Sequence, residues 1–135
     1  MTFRGNRLLA GLPRQLRDLV LQKAAQVDLV RGEIIVEAGD GIGSVVFPDD
    51  AVISSVALLD SVGPVELATT GCEGVAPPLV VLGAKKAAHR AIVQVPGRGV
   101  VIGLAHYRDL CSAEPVFQEQ MVAFARAFAA QALQS

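Results

Sequence analysis

Four side chains in this sequence could ligate a soft metal or serve as thiol or imidazole catalysts: Cys72, His89, His106 and Cys111. Zinc and haem sites need several such ligands converging, and zinc sites usually show local spacing such as C-x-x-C. These four residues show no such motif, and an iron–sulfur cluster generally takes four cysteines where the chain has two. A cupin-like enzyme would hold a metal on two or three histidines of neighbouring strands, and here only His89 is a candidate. Ser44, Ser54, Ser55, Ser61 and Ser112 lack the G-x-S-x-G context of a nucleophile elbow. The phosphate loop G-x-x-x-x-G-K-[ST] is absent, and Gly97-Arg98-Gly99 reads as a turn. The expectation is therefore a non-catalytic chain with no metal and no resident cofactor, its cysteines buried as free thiols and His106 on the surface.

Composition narrows the classes further. The chain has 135 residues, one domain's worth, with 52% hydrophobic and 19% charged residues. Its net charge is −1, and its 12 Lys and Arg are scattered, with only Lys85 and Lys86 adjacent. Nucleic-acid-binding domains present a basic stripe, so this chain alone is not expected to hold DNA. No run approaches the roughly 18 apolar residues needed to span a bilayer. The longest apolar stretch, Val75–Ala84, is interrupted by two prolines and a glycine. The first residues carry charge but no apolar block of a signal peptide, which makes the cytoplasm the default location.

The elements that must position these side chains follow from periodicity. Leu8, Leu9, Leu12, Leu16, Leu19 and Val20 recur at three- and four-residue steps, which predicts helices over 6–11 and 13–25. From 27 to 103, short Val- and Ile-rich runs alternate with Gly, Pro and Asp punctuation. Seven strands are expected: 27–30, 34–37, 45–47, 51–59, 65–69, 91–95 and 99–102. Turns are expected at Arg31-Gly32, Gly39–Gly41, Asp49-Asp50, Ser61–Gly63 and Pro96–Arg98. Such spacing suits an antiparallel barrel or roll. Pro77-Pro78 breaks the rhythm, and Leu79–Leu82 reads as one helical turn before Gly83. A short helix is expected over 104–110, and a long one opens at Pro115 and runs to about Leu133.

That last helix carries two apolar stripes. Phe117, Met121, Phe124 and Phe128 step four, three and four, as in a coiled-coil seam. Val122, Ala125, Ala129 and Ala132 form a smaller-residue stripe beside it. One face would pack on the roll and the other on a second copy, giving a homodimer. The Phe117, Met121, Phe124 and Phe128 stripe is taken as the interface, against the alternative of a helix buried wholly within one domain.

Several segments carry a resemblance: Asn6–Ala10 with Leu12-Pro13, Arg31–Asp40, Val45–Pro48, Gly71–Gly74 and His89–Val95. Together they resemble the sensor domain of the Crp–Fnr family of transcription regulators across nearly the whole chain. The resemblance implies a mainly β fold with flanking helices, a double-stranded β-helix (jelly-roll-like) roll over 27–103. It further implies N-terminal helices at 6–25, C-terminal helices at 104–134 and a long dimerisation helix. Family members usually continue into a helix-turn-helix module. None follows Ser135 here, so either the chain is part of a longer regulator or it is a stand-alone sensor, and DNA would be met only through a module outside it.

In relatives that bind cyclic nucleotides, a Gly-Glu pair opens a short helix whose N–H groups face the phosphate, and an Arg neutralises it. The matching stretch here, Gly71–Pro78, puts Pro77-Pro78 in the Gly-Glu slot, and proline has no N–H to offer. His89 falls in the Arg slot. Arg90 comes one place later, where strand alternation would turn it away from the pocket unless the alignment moves by one. Glu73 could replace the lost carboxylate on a ribose, or could be a solvated turn residue. The candidate ligand-binding set is thus Glu73, Gly74, Val75, His89, Arg90 and Ala91. The leading expectation is a regulatory sensor with a degenerate phosphate cassette, open to a small-molecule effector. A working cyclic-nucleotide site and a ligand-free interaction module stand as alternatives.

Overall fold

A computed structural model describes residues 5–134, without the side chain of Gln134. In chain order the elements are α1 (Arg7–Ala10), α2 (Arg14–Leu21), β1 (Ala24–Leu29), β2 (Ile34–Val36), β3 (Ser44–Pro48), β4 (Val52–Leu59) and β5 (Gly63–Thr70). A 3-10 turn (Pro78–Leu82) follows, then β6 (Arg90–Val95), β7 (Gly97–Gly103), α3 (Leu104–Ala113) and α4 (Pro115–Gln134). The strands form two antiparallel sheets, ordered β1-β7-β3 and β2-β6-β4-β5. This is the β-roll with flanking helices and a long C-terminal helix.

Strand alternation divides the interior in two. On β3, Val45 and Phe47 join Leu9, Val20, Phe117 and Met121 in a core beneath the helices. Val46 between them points the other way, into the roll, with Ile53, Ala76, Ala91 and Val93. A strand buried on both faces needs a nearly continuous apolar run, which is what Val45–Phe47 supplies. The β4–β5 hairpin closes at Gly63, whose φ of 87° lies in the left-handed region open to glycine.

Three boundaries differ from the periodic reading, the simplest being α3, which runs on to Ala113 where 110 was expected. Helix α2 stops at Leu21, because Ala24 and Ala25 pair with Ile102 and Val101 of β7. The gain from ladder pairing overrides the helical preference of alanine, so the β region starts at Ala24 and not at 27. The expected turn at 96–98 is only Pro96. Gly97 and Arg98 lie in β7, paired with Leu29 and Asp28, and the chain passes from one sheet to the other across that single proline.

Asn6 ties these parts together. It is 0% exposed, and its Oδ1 accepts from the Leu8 and Leu9 amides, capping α1. Its Nδ2 donates to the carbonyls of Pro48 at 2.9 Å and Gly74 at 2.7 Å. Its own N–H donates to Asp49 Oδ1. Burial pushes the Asp49 carboxyl above its ordinary value, with the Asn6 amide opposing that rise. One side chain therefore joins the first helix, the end of β3 and the 71–76 segment. Replacing it with Ala would strand two buried carbonyls and remove a cap. The expected loss is about 3 kcal/mol, read as a lower urea midpoint with an unchanged slope. Asn6→Asp keeps the cap but loses both donations, and should cost a similar amount.

Candidate functional site

The segment from Gly71 to Leu82 forms the wall on which the site depends. Ala76 exchanges two backbone hydrogen bonds with Val46, each 2.9 Å, which fastens the segment to β3. Arg7 N–H donates to the Cys72 carbonyl, and Gly74 is held by Asn6 from the other side. Val75, 0% exposed, points into the helix-side core. The Ala76–Pro77 bond is cis, and Pro78 then opens the 3-10 turn. Pro77 and Pro78 stand where the turn begins, so neither position presents an N–H. Gly83 ends the turn in the left-handed conformation, with φ of 88°.

Gly74 is packed against α4. A Cβ there would lie 2.7 Å from Phe124 Cζ and 2.8 Å from the Thr70 methyl, closer than real contacts allow. The absence of a side chain is what brings this segment and the long helix into contact. Glu73 is exposed, and its carboxylate accepts from the Gly71 N–H within its own turn.

The six residues expected to line one site are separated. Only His89 and Ala91 face the roll-side cleft. Gly74 and Val75 are packed into the core and Glu73 faces a shallow groove along α4, so these three do not join a pocket with His89. Arg90 is on the outer face of β6. Its Nε donates to both Glu37 oxygens, at 2.9 and 3.1 Å. The guanidinium beside Glu37 holds that carboxyl below its ordinary range. Strand alternation thus engages the one arginine of this strand on the far side of the sheet.

Two connected spaces lie where these elements meet. An inner notch of about 20 Å³ sits among Ile42, Ser55, Pro78, Leu79, His89 and Ala91, with exposed Lys86 contributing to its lining. It has room for about one water. Outside it, an open cleft of about 270 Å³ runs between the roll and α4, lined by Ser55, Leu67, Ala68, Pro78, Leu79, His89, Phe128 and Ala132. Ser55, Leu67, Leu79 and Ala132 were not among the expected site residues. For Ser55 one signal was available. In an alternating strand, the adjacent pair Ser54-Ser55 must send one hydroxyl inward whatever the register.

The remaining chemistry-bearing residues are structural. Ser54 Oγ donates to Glu66 Oε1 at 2.6 Å and lies 2.9 Å from the Gln94 amide oxygen, a cross-strand cluster without a histidine. His106 is half-buried rather than on the surface, its Nε2 3.2 Å from the Leu19 and Val20 carbonyls at the end of α2. Carbonyls left open at a helix end attract such a donor. Burial pushes both the Tyr107 phenol and the Cys111 thiol up, which leaves the thiol a poor nucleophile. Both cysteines are free and half-buried, less enclosed than expected. Among the described residues no cluster of three His, Cys, Asp or Glu could hold a metal. No described helix is long and apolar enough to cross a membrane.

The long helix corrects the interface expectation. Phe117 and Met121 are 0% exposed and Phe124 6%, all within the chain's own core, with Phe128 half-buried against it. The roll and α3 claim this stripe because it is the larger apolar face available to them. Val116, Ala123, Ala127 and Ala130 point outward instead, with Leu133 88% exposed near the end.

No protein-family model matches the sequence, and no curated protein does. Solved structures do match. A putative cyclic nucleotide-binding protein from Geobacter metallireducens superposes with a TM-score of 0.73 at 12% identity, over 95% of this chain and 92% of that one. The catabolite activator protein of Thermus thermophilus gives 0.72 at 17% identity, over 94% of this chain and 60% of that one. The regulatory subunit of a cAMP-independent protein kinase A from Trypanosoma brucei gives 0.67 at 11% identity, over 78% and 39%. Structural neighbours are thus cyclic nucleotide-binding domains, Crp/Fnr-family regulators among them, and the shared property is the fold.

The Gly74–Phe124 contact is testable. Gly74→Ala should destabilise the chain by about 1–3 kcal/mol in chemical denaturation, the range for overpacking. Phe124→Leu in the same chain makes room, so the double variant should lose less than the sum of the two single losses. Strict additivity would mean that the two sites do not touch.

Proposed function

We propose that this chain is the regulatory sensor and dimerisation domain of a Crp–Fnr-like transcription regulator, working in the cytoplasm without catalysis. Its phosphate-binding cassette is degenerate. The observation that carries this reading is the opening of the 3-10 turn, where the imino nitrogens of Pro77, lining the notch, and of Pro78, lining notch and cleft, stand in place of amide donors. An anion needs N–H groups or a cation to replace its water, and Arg90 is paired with Glu37 on the other face.

Signalling would run through α4. The helix rests on the 3-10 turn and on Gly74, and it supplies Phe128 and Ala132 to the cleft. An effector with unequal affinity for two positions of α4 would shift their populations, and the outward face of the helix would carry the shift to a second copy. DNA would be contacted through a module outside this chain. A second reading, a ligand-free interaction module, is favoured by the near-filled inner notch.

Titration calorimetry with cyclic AMP and cyclic GMP tests the cassette. No binding heat is expected even at millimolar nucleotide, and a submicromolar Kd would overturn the claim of degeneracy. For the dimer, light scattering should give twice the chain mass for the natural sequence and a monomer for Ala123→Glu or Ala130→Glu, because both positions are exposed on α4. A natural chain that is monomeric at high micromolar concentration would remove this role from the helix.

A further inference from the structure

The open cleft between the roll and α4 has a chemistry of its own. Six of its eight lining residues are apolar: Leu67, Ala68, Pro78, Leu79, Phe128 and Ala132. The two polar ones, Ser55 and His89, lie toward its inner end, since both also line the notch. None of the eight bears a carboxylate, ammonium or guanidinium group. Lys86 lines the notch and not the cleft, and it is exposed, so water keeps its charge solvated. The volume of about 270 Å³ lies near the lower end for small-molecule sites, which are mostly apolar with a few placed polar groups.

From this lining we infer that the cleft takes an uncharged, largely apolar small molecule of one or two rings, carrying one hydrogen-bonding group toward Ser55 and His89. The inference rests on the sensor reading above and names the class of effector. A charged phosphate would lose its hydration against Leu79 and Phe128, with only the Ser55 hydroxyl and the His89 ring to replace it and no charged group in the lining. A neutral ring system would instead gain from covering those side chains. Ser55 Oγ can donate or accept, as can the two nitrogens of a neutral His89, so a ketone or a hydroxyl would be matched equally well. Because Phe128 and Ala132 belong to α4 while the other lining residues belong to the roll and the 3-10 turn, an occupant would bridge the long helix and the elements it rests on.

The probe is prodan, an uncharged naphthalene ketone whose emission moves to the blue in apolar surroundings. Titrated into the full chain, it should show a saturable blue shift with one site per chain. Ala132→Trp fills the cleft from the helix side, and Leu67→Trp fills it from the sheet side. Both positions are exposed, and circular dichroism checks that each variant folds. Each folded variant should bind at least about tenfold more weakly. Ser55→Ala should weaken binding between about twofold and tenfold, the worth of one hydrogen bond. Millimolar cyclic AMP should not displace the probe. Absence of saturable binding, or binding unchanged in both Trp variants, would overturn the inference and leave the degenerate cassette standing. Displacement by cyclic AMP would overturn both.

Discussion

The buried Asn6 amide is the joint on which the rest of the arrangement depends. Its carbonyl end completes α1, while its nitrogen end holds Pro48 of β3 and Gly74 of the segment after β5. A buried amide left unmatched is costly, so the three segments are tied to a single relative placement. That placement matters because Gly74 in turn sets how closely α4 approaches. A hydrogen-bond network of this kind converts a loosely patterned helix–loop–strand sequence into a rigid base for the long helix.

On that base the two cores have different jobs. The helix-side core is built from large side chains, Leu9, Phe47, Phe117 and Met121, and it clamps α4 along its first turns. The roll-side core is built from smaller ones, Ala51, Ala76 and Ala91 with Val93 and Ile53. The helix is thus firmly held near Phe117 and progressively less so toward Leu133, which is 88% exposed. The cleft lies beside this less enclosed half, at Phe128 and Ala132. Small forces there would act on the less buried half of the helix.

Charge placement follows the two faces of the four-stranded sheet. Arg90 and Glu37 satisfy one another on the outer face of the four-stranded sheet, so neither is available within. Two prolines at the opening of the 3-10 turn cost the fold little, because first-turn N–H groups have no intrahelical partner in any case. The roll therefore tolerates proline at both positions.

Local signals made most of the architecture legible. Seven Val- and Ile-rich runs became seven strands, Gly63 and Gly83 marked turns that need a positive φ, and Pro115 opened the last helix. That Arg90 and its neighbours His89 and Ala91 face opposite sides also followed from alternation, since the period of a strand is two whatever surrounds it. Which of them faces inward depends on the pairing with β2 and β4. Other features could be settled only by contacts distant in sequence. Ala24 and Ala25 became strand because β7 lay beside them, some 75 residues further along the chain. Phe117, Met121 and Phe124 faced inward because the roll and α3 offered the larger apolar surface. The tie made by Asn6 depends on two carbonyls more than 40 residues away, which its place before a short helix does not reveal. Period and turn chemistry belong to a few neighbouring residues, whereas which apolar face is covered depends on what the rest of the chain brings to it.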